Sequence, residues 1–152
     1  FSKLVPRKGL ANTEFSSQYL AYENLPKKYK TQINKLSGTF SSKGPIAITT
    51  IERVKEKGKL NKELKANHKL VKTIGKKKSI YFSAGHFIGF NSRQNRKLNE
   101  LEKYLKKHQI KKKFQFSLEW EKNQLAIWDN RSMLHQATPF NGNRIMHRIT
   151  IK

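Results

Sequence analysis

Cysteine is absent from the 152 residues, and acidic side chains are scarce, with 10 Asp and Glu against 33 Lys and Arg. A chain without cysteine forms neither a disulfide nor a thiolate metal site. No apolar run is long enough to cross a bilayer, and the first ten residues, FSKLVPRKGL, lack the apolar core of a signal peptide. These absences favour a cytoplasmic location and no membrane partner. The length suits one modest domain with its own hydrophobic core.

The excess of basic residues gives a formal net charge of +23. Such a charge is typical of proteins that neutralise nucleic-acid phosphates. The lysines are nevertheless spread along the whole chain, and no zinc finger, aromatic RNA-binding motif or recognition helix accompanies them. We therefore expect lysine on most exposed faces and no specific nucleic-acid partner. A basic binding module without catalysis is the alternative class.

The densest pattern of the chain lies in residues 125–151, LAIWDNRSMLHQATPFNGNRIMHRITI. Short apolar segments predict strands over residues 125–128 and 133–137, with turn residues between them. Residues 144–151 alternate, and successive side chains of a strand point to opposite faces. One predicted face therefore holds Ile145, His147, Ile149 and Ile151, and the other holds Arg144, Met146, Arg148 and Thr150.

Arg144 and Arg148 share a face of this predicted strand, and His135 lies in the segment just before it. Arginine suits the two-pronged binding of carboxylate or sulfonate groups. Histidine is a common metal ligand. Spacing alone favours a solvated basic face and a hydrogen-bonded structural histidine over these functional interpretations.

The ordered pattern WDNR, then His135, then RIMHR resembles the C-terminal part of the taurine dioxygenase-like family. Its members are iron(II)- and 2-oxoglutarate-dependent oxygenases. The resemblance implies that His135 is the distal iron ligand and that Arg144 binds the far carboxylate of 2-oxoglutarate. It also implies that Arg148 faces the acidic group of the primary substrate. The interval from His135 to Arg144 is slightly shorter than is usual in the family.

Thr13 begins a segment with two interpretations. Phe15, Tyr19 and Tyr22 have near-helical spacing, which predicts a helix capped by Asn12 or Thr13. The later AYENLP resembles the family's helix that follows a threonine in contact with 2-oxoglutarate. The resemblance therefore assigns Thr13 to 2-oxoglutarate binding.

Residues 68–73, HKLVKT, resemble a strand of the family, and residues 79–87 are predicted to be a strand that runs into a loop at the edge of the pocket. Phe87 stands where the taurine enzymes place an aromatic residue that contacts the substrate, although a core phenylalanine is an equal alternative. His86 is expected to be structural or pocket-lining, because no acidic residue follows it two positions on.

The remaining patterns predict scaffold. Helices are expected from Pro26, and from Ser92 to about residue 108 with the apolar stripe Leu98, Leu101 and Leu105. Strands are expected over residues 79–82 and 114–120, and a loop over 37–44. Residues 46–54 are strand or helix start, and residues 55–69 are a lysine-rich surface segment that folds over the substrate as a lid in the family.

The family's other two iron ligands come from a His-x-Asp or His-x-Glu motif. None of the five histidines here has an acidic residue two positions on. We therefore expect residues 1–152 to form a single incomplete domain, part of a mainly β double-stranded β-helix (jelly roll, cupin-like) with flanking helices. Truncation and a ligand-deficient pseudo-enzyme both explain the missing motif. The expected function is hydroxylation of a small organic acid with Fe(II), 2-oxoglutarate and dioxygen. The chain alone should be inactive, and self-association into a homo-oligomer is left open.

Overall fold

The computed structural model describes residues 1–7, 9–45, 63–93 and 95–151. Within these ranges the chain is mainly β with flanking helices. The strands are β1 (Ser2–Leu4), β2 (Thr13–Ser17), β3 (Ser37–Ser41), β4 (Lys65–Lys69), β5 (Val71–Ile74), β6 (Lys77–Ile80), β7 (Phe87–Phe90), β8 (Gln115–Leu118), β9 (Met133–Ala137) and β10 (Ile145–Met146). The helices are α1 (Gln18–Glu23), α2 (Lys27–Ile33), α3 (Arg96–His108) and a 3-10 turn at Lys112–Phe114. No helix of the described residues is long and apolar enough to span a membrane.

Two three-stranded antiparallel sheets form the framework. One has the order β8-β2-β9, and the other has the order β4-β3-β7. A hairpin, β5-β6, and the short pair β1-β10 complete the pairing. The middle strands, β2 and β3, are each hydrogen-bonded on both sides, so they fix the positions of their neighbours.

The hydrophobic core lies between the β3 sheet, the β5-β6 hairpin and the three helices. Helix α3 buries Leu101 and Leu105, as its predicted apolar stripe requires. His108 at its end is also buried, and its Nε2 donates to the Ala21 carbonyl at 2.8 Å. The core cluster consists of Ala21, Leu25, Ile33, Phe40, Leu70, Ile80, Phe82, Phe87, Phe90, Leu101, Leu105 and Phe114.

Helix boundaries differ from the predictions at two places. Thr13 is not a cap, because residues 13–17 pair with strands on both sides; α1 begins at Gln18, and the Ser17 hydroxyl accepts from the Leu20 amide. Helix α3 begins at Arg96 rather than after Ser92, because the Asn95 side chain caps it. The start of α2 after Pro26 is confirmed. On α3, Glu102 and Lys106 form an ion pair at 2.7 Å.

The predicted loop at 37–44 is wrong over its first half, which is β3. Polar residues give this strand a loop-like composition, but Gly38 serves packing rather than a turn. A Cβ added to Gly38 would lie 2.5 Å from the Phe87 ring. The predicted segments 46–54 and 55–62 lie outside the described residues, whereas Lys65–Lys69 forms the exposed strand β4.

The two C-terminal strands are less complete than their alternation predicts. Residues 125–128 pair with no strand among the described residues, and of residues 144–151 only Ile145–Met146 is a strand, with His147 hydrogen-bonded to the Phe1 backbone beside it. Alternation creates an apolar face, but a strand forms only where a neighbour supplies the hydrogen bonds. The predicted strand over 133–137 is confirmed as β9, and most of 114–120 is confirmed as β8.

Candidate functional site

Strand β2 brings Thr13 and His135 together. It pairs with β9 in the register Thr13↔Ala137 and Phe15↔His135. Residues directly opposite each other in an antiparallel pair point to the same face. Thr13, Phe15 and His135 therefore share one face of the β8-β2-β9 sheet, although more than a hundred residues separate the two strands.

His135 lies against an aromatic wall on that face. Its ring centroid is 6.1 Å from the Phe15 ring and 5.1 Å from the Trp128 ring. The wall desolvates one side of the imidazole, and the other side is open to solvent. Burial, and then the positive charge of Arg148, lower the pKa of His135 below its usual range. The neutral imidazole that results retains the nitrogen lone pair needed by a metal ligand.

Arg144 reaches back to Thr13. Its Nη2 donates to the Thr13 Oγ1 at 3.5 Å, and the Trp120 Nε1 donates to the same oxygen at 2.9 Å. Because Thr13 Oγ1 accepts from two donors, its own proton is left to donate to a bound ligand. The two residues that the family pattern assigned to 2-oxoglutarate are thus in direct contact.

The Arg144 guanidinium is also incompletely satisfied. Its Nε is buried and has no hydrogen-bond partner among the described residues, and its Cζ lies 5.7 Å from the centroid of the Phe140 ring. Burial lowers the pKa of Arg144. A buried donor on a cation without a partner is costly, and a carboxylate is the group that compensates it best.

Arg148 is exposed, and its charge acts on His135. No ion pair of Arg148 occurs among the described residues. An exposed arginine near the predicted metal ligand is consistent with contact to an anionic substrate.

Phe87, by contrast, lies in the core. Its side chain is 4 % exposed and packs against the rings of Phe40, Phe82 and Phe90. It lines neither of the two cavities described below, so the core alternative left open by the sequence is the one that the structure supports. The neighbouring His86 lines a cavity instead.

Two cavities lie beside β9. One, of about 370 Å³, is apolar and borders the His135 face through Phe15 and Trp128. The other, of about 140 Å³, lies between Asn130–Leu134 and the β3 and β6 region. Its lining includes His86, which the sequence predicted to be structural or pocket-lining, and Gln18, Phe40 and His68, which the sequence did not single out as site residues.

Few metal ligands accompany His135. Among the residues that the structure describes, no group of three His, Cys, Asp or Glu side chains could hold a metal ion. Asp129, in the loop before β9, is held by Arg131 at 3.0 and 2.7 Å. Its hydrogen bonds from Arg131 lower the pKa of Asp129, so its carboxylate is already engaged. Of the three ligands of an iron triad, the described residues therefore supply the histidine at this site and neither of the other two.

Residues 4–150 match the model of the family described as taurine catabolism dioxygenase TauD, TfdA family. The chain belongs to this family. As a TauD, TfdA family chain it has the predicted mainly β fold of the jelly-roll, cupin-like class, which the solved relatives below also support.

Three solved structures resemble this family member. A Burkholderia xenovorans protein assigned as an alpha-ketoglutarate dependent 2,4-D dioxygenase is 25% identical, with a TM-score of 0.75; 96% of this chain covers 57% of it. AAD-2 in complex with Mn(II) and N-oxalylglycine is 23% identical, with a TM-score of 0.74; 94% of this chain covers 57% of it. A taurine dioxygenase from Burkholderia xenovorans is 22% identical, with a TM-score of 0.71; 90% of this chain covers 43% of it. The chain therefore spans little more than half the length of these relatives at most.

Proposed function

We propose that this chain contributes to an iron(II)- and 2-oxoglutarate-dependent dioxygenase that hydroxylates a small organic acid. In this proposal His135 binds iron, Thr13 and Arg144 bind 2-oxoglutarate, and Arg148 meets the acidic group of the substrate. Family membership and the geometry around β2 support these roles. The substrate class, sulfonate or carboxylate, follows from the positive charge of Arg148.

The contact between Arg144 and Thr13 is the observation that most supports the proposal. At this place the Arg144 Nε has no acceptor among the described residues, and the Thr13 hydroxyl, which accepts from two donors, retains its own proton to donate. A carboxylate of 2-oxoglutarate offers two oxygens, which would accept from both. This pairing would also neutralise a guanidinium that burial otherwise disfavours.

His135 would hold the iron(II) through its neutral imidazole, and the rings of Phe15 and Trp128 would fix its orientation and exclude water from one side. When bound, iron(II) supplies the chemistry that couples oxidative decarboxylation of 2-oxoglutarate to substrate hydroxylation by dioxygen. Because the described residues offer one ligand and no group of three, we expect the isolated chain to form little or no succinate. Iron-dependent succinate formation by this chain alone would contradict that expectation.

The Arg144→Ala variant tests the 2-oxoglutarate site. We expect its affinity for 2-oxoglutarate, measured by titration calorimetry, to fall about 10- to 100-fold, because charge-assisted hydrogen bonds to a carboxylate are lost. Arg96→Ala is the matched control, since Arg96 is exposed on α3 and forms an ion pair with Glu100. Equal affinity in wild type and Arg144→Ala, or no binding of 2-oxoglutarate by the wild type, would overturn the assignment.

The net charge of +23 favours a second function, non-catalytic binding of polyanions. Retention of duplex DNA across a salt series separates the two. Binding that disappears at physiological salt reflects charge alone, whereas sequence-specific binding that persists there would favour the basic binding module.

A further inference from the structure

The cavity of about 140 Å³ beside β9 has the size of a small aromatic ring. Cavities on the order of 150 Å³ accept one benzene molecule. The side chains around it include the rings of Phe40, His68, Tyr81 and Phe82. The Tyr81 ring stands edge-on to His68 at 5.1 Å and to Phe40 at 5.7 Å. These rings form a preorganised aromatic wall.

Two polar side chains of the cavity, His86 and Gln18, offer hydrogen-bond acceptors to a bound molecule. His86 Nδ1 lies 3.1 Å from the Ser41 carbonyl, and a carbonyl only accepts, so Nδ1 carries the proton. In the neutral ring Nε2 is then an acceptor. Gln18 also lines the cavity and is 2 % exposed. Its Nε2 donates to the Ser16 and Gln109 carbonyls, which leaves Oε1 as a buried acceptor without a partner among the described residues.

The lining offers no free positive charge to bind an anion. Arg131 is its one arginine or lysine, and the Asp129 carboxylate engages that guanidinium at 3.0 and 2.7 Å. His68 is held toward its neutral form, because burial and then the charge of Lys72 lower its pKa. A sulfonate or carboxylate group therefore finds no uncommitted cation among the lining residues, and in the proposed site its charge is balanced by Arg148, which lies outside the lining.

The cavity is close to the predicted iron ligand along the chain. Met133 and Leu134 line it, and they directly precede His135 on β9. Met133 also lines the larger apolar cavity that borders the His135 face. A molecule seated in the smaller cavity would thus lie next to the strand that presents His135.

We propose that this cavity is the substrate-body pocket of the proposed dioxygenase and that it takes a neutral, ring-sized group bearing a hydrogen-bond donor. The donor would satisfy His86 Nε2 or Gln18 Oε1, and the ring would pack on Phe40 and Tyr81. This inference rests on the proposed function where it identifies the bound molecule as a substrate. The expected binding chemistry rests on the cavity alone.

Phenol, anisole and benzoate are suitable probes, because anisole lacks the donor and benzoate carries a charge. Amide chemical shifts of the isotope-labelled protein would be followed by NMR during titration with each compound. We expect phenol to shift the cavity-lining residues and to bind at least about fivefold more tightly than anisole or benzoate, since one hydrogen bond is lost with either. Anisole binding as tightly as phenol, or no shifts at the cavity, would overturn the proposal.

The His86→Phe variant removes the acceptor and retains a ring. We expect it to bind phenol and anisole alike, whereas His147→Phe, on the β1-β10 side, should retain the preference for phenol. If the preference for phenol survives His86→Phe and is abolished by Gln18→Leu, Gln18 Oε1 is the acceptor of the phenol hydroxyl. If both variants retain the preference, the acceptor model is overturned. The wild-type comparison of the three probes stands even if a variant fails to fold.

A competition titration separates this inference from the proposed function. Phenol should leave the affinity for 2-oxoglutarate unchanged, because Thr13 and Arg144 do not line this cavity. Phenol binding in a protein that does not bind 2-oxoglutarate would retain the pocket and overturn the dioxygenase assignment. Displacement of 2-oxoglutarate by phenol would overturn the placement of the pocket.

Discussion

Apolar side chains are buried in one region of the chain and exposed in another. In the packed region, formed by the β4-β3-β7 sheet and the helices, Phe82 and Leu101 are 2 % and 1 % exposed. In the open region, residues 125–128 and 147–151, Ile127 and Ile149 are 86% and 89% exposed. Both regions have similar apolar patterns. The difference shows that the apolar pattern determines which side chains would gain from burial. Whether they are buried depends on the presence of neighbouring strands.

Truncation of a core side chain should show the comparison most strongly. Leu101→Ala is expected to lower the free energy of unfolding by about 2–5 kcal/mol, because it leaves a cavity beneath α3. Ile127→Ala removes a similar apolar group from the open region and should change it by less than about 0.5 kcal/mol. Urea denaturation of both variants measures the difference. Equal losses would show that residues 125–128 are packed in solution.

A pair of glycines sharpens the comparison within the packed region. Gly38→Ala places a methyl group 2.5 Å from the Phe87 ring, and overpacking of this kind costs about 1–3 kcal/mol. Gly89→Ala, on the adjacent strand β7, meets nothing within 4 Å and should be close to neutral. Denaturation midpoints compare the two. The packing argument would fail if Gly89→Ala were the more destabilising change.

A smaller effect is expected from pH, again in the packed region. Burial lowers the pKa of His108 below the ordinary value of 6.5. The unfolded chain therefore binds a proton more readily than the folded chain, so stability is full above about pH 6.5 and declines as pH falls below it. The melting temperature should decrease on acidification from about pH 8 to about pH 5, and His108→Gln should reduce that dependence. If the melting temperature of His108→Gln depends on pH as strongly as that of the wild type, other groups are responsible. His68 and His135 also have lowered pKa values.

Sequence predicted the elements that depend on local pattern. The apolar stripe of α3 and the period-two pattern of β8 need no information from elsewhere in the chain. The contact between Thr13 and Arg144 could be anticipated only from the family pattern, because 131 residues separate them. No local rule predicts that approach.

Other features could not be predicted, for physical reasons. Strand β3 has the composition of a loop, and its identity comes from β4 and β7 on its two sides. Cavity lining depends on which of two adjacent residues turns inward. Phe87 begins β7 and enters the core, whereas His86 stands just before it, opposite the Ser41 carbonyl. A shift of one residue exchanges these roles, and composition does not fix it.

The position of β2 has a consequence for how the molecule forms. Thr13 precedes its partners Trp120 and Arg144 by 107 and 131 residues. Contacts so distant in sequence require closure of a long loop and slow the folding of the sheets that contain them. The helices and the β5-β6 hairpin depend on contacts that are local in sequence, so they can form during synthesis. By this order of events, the contact between Thr13 and Arg144, the pair proposed to bind 2-oxoglutarate, forms only after synthesis has advanced 131 residues beyond Thr13.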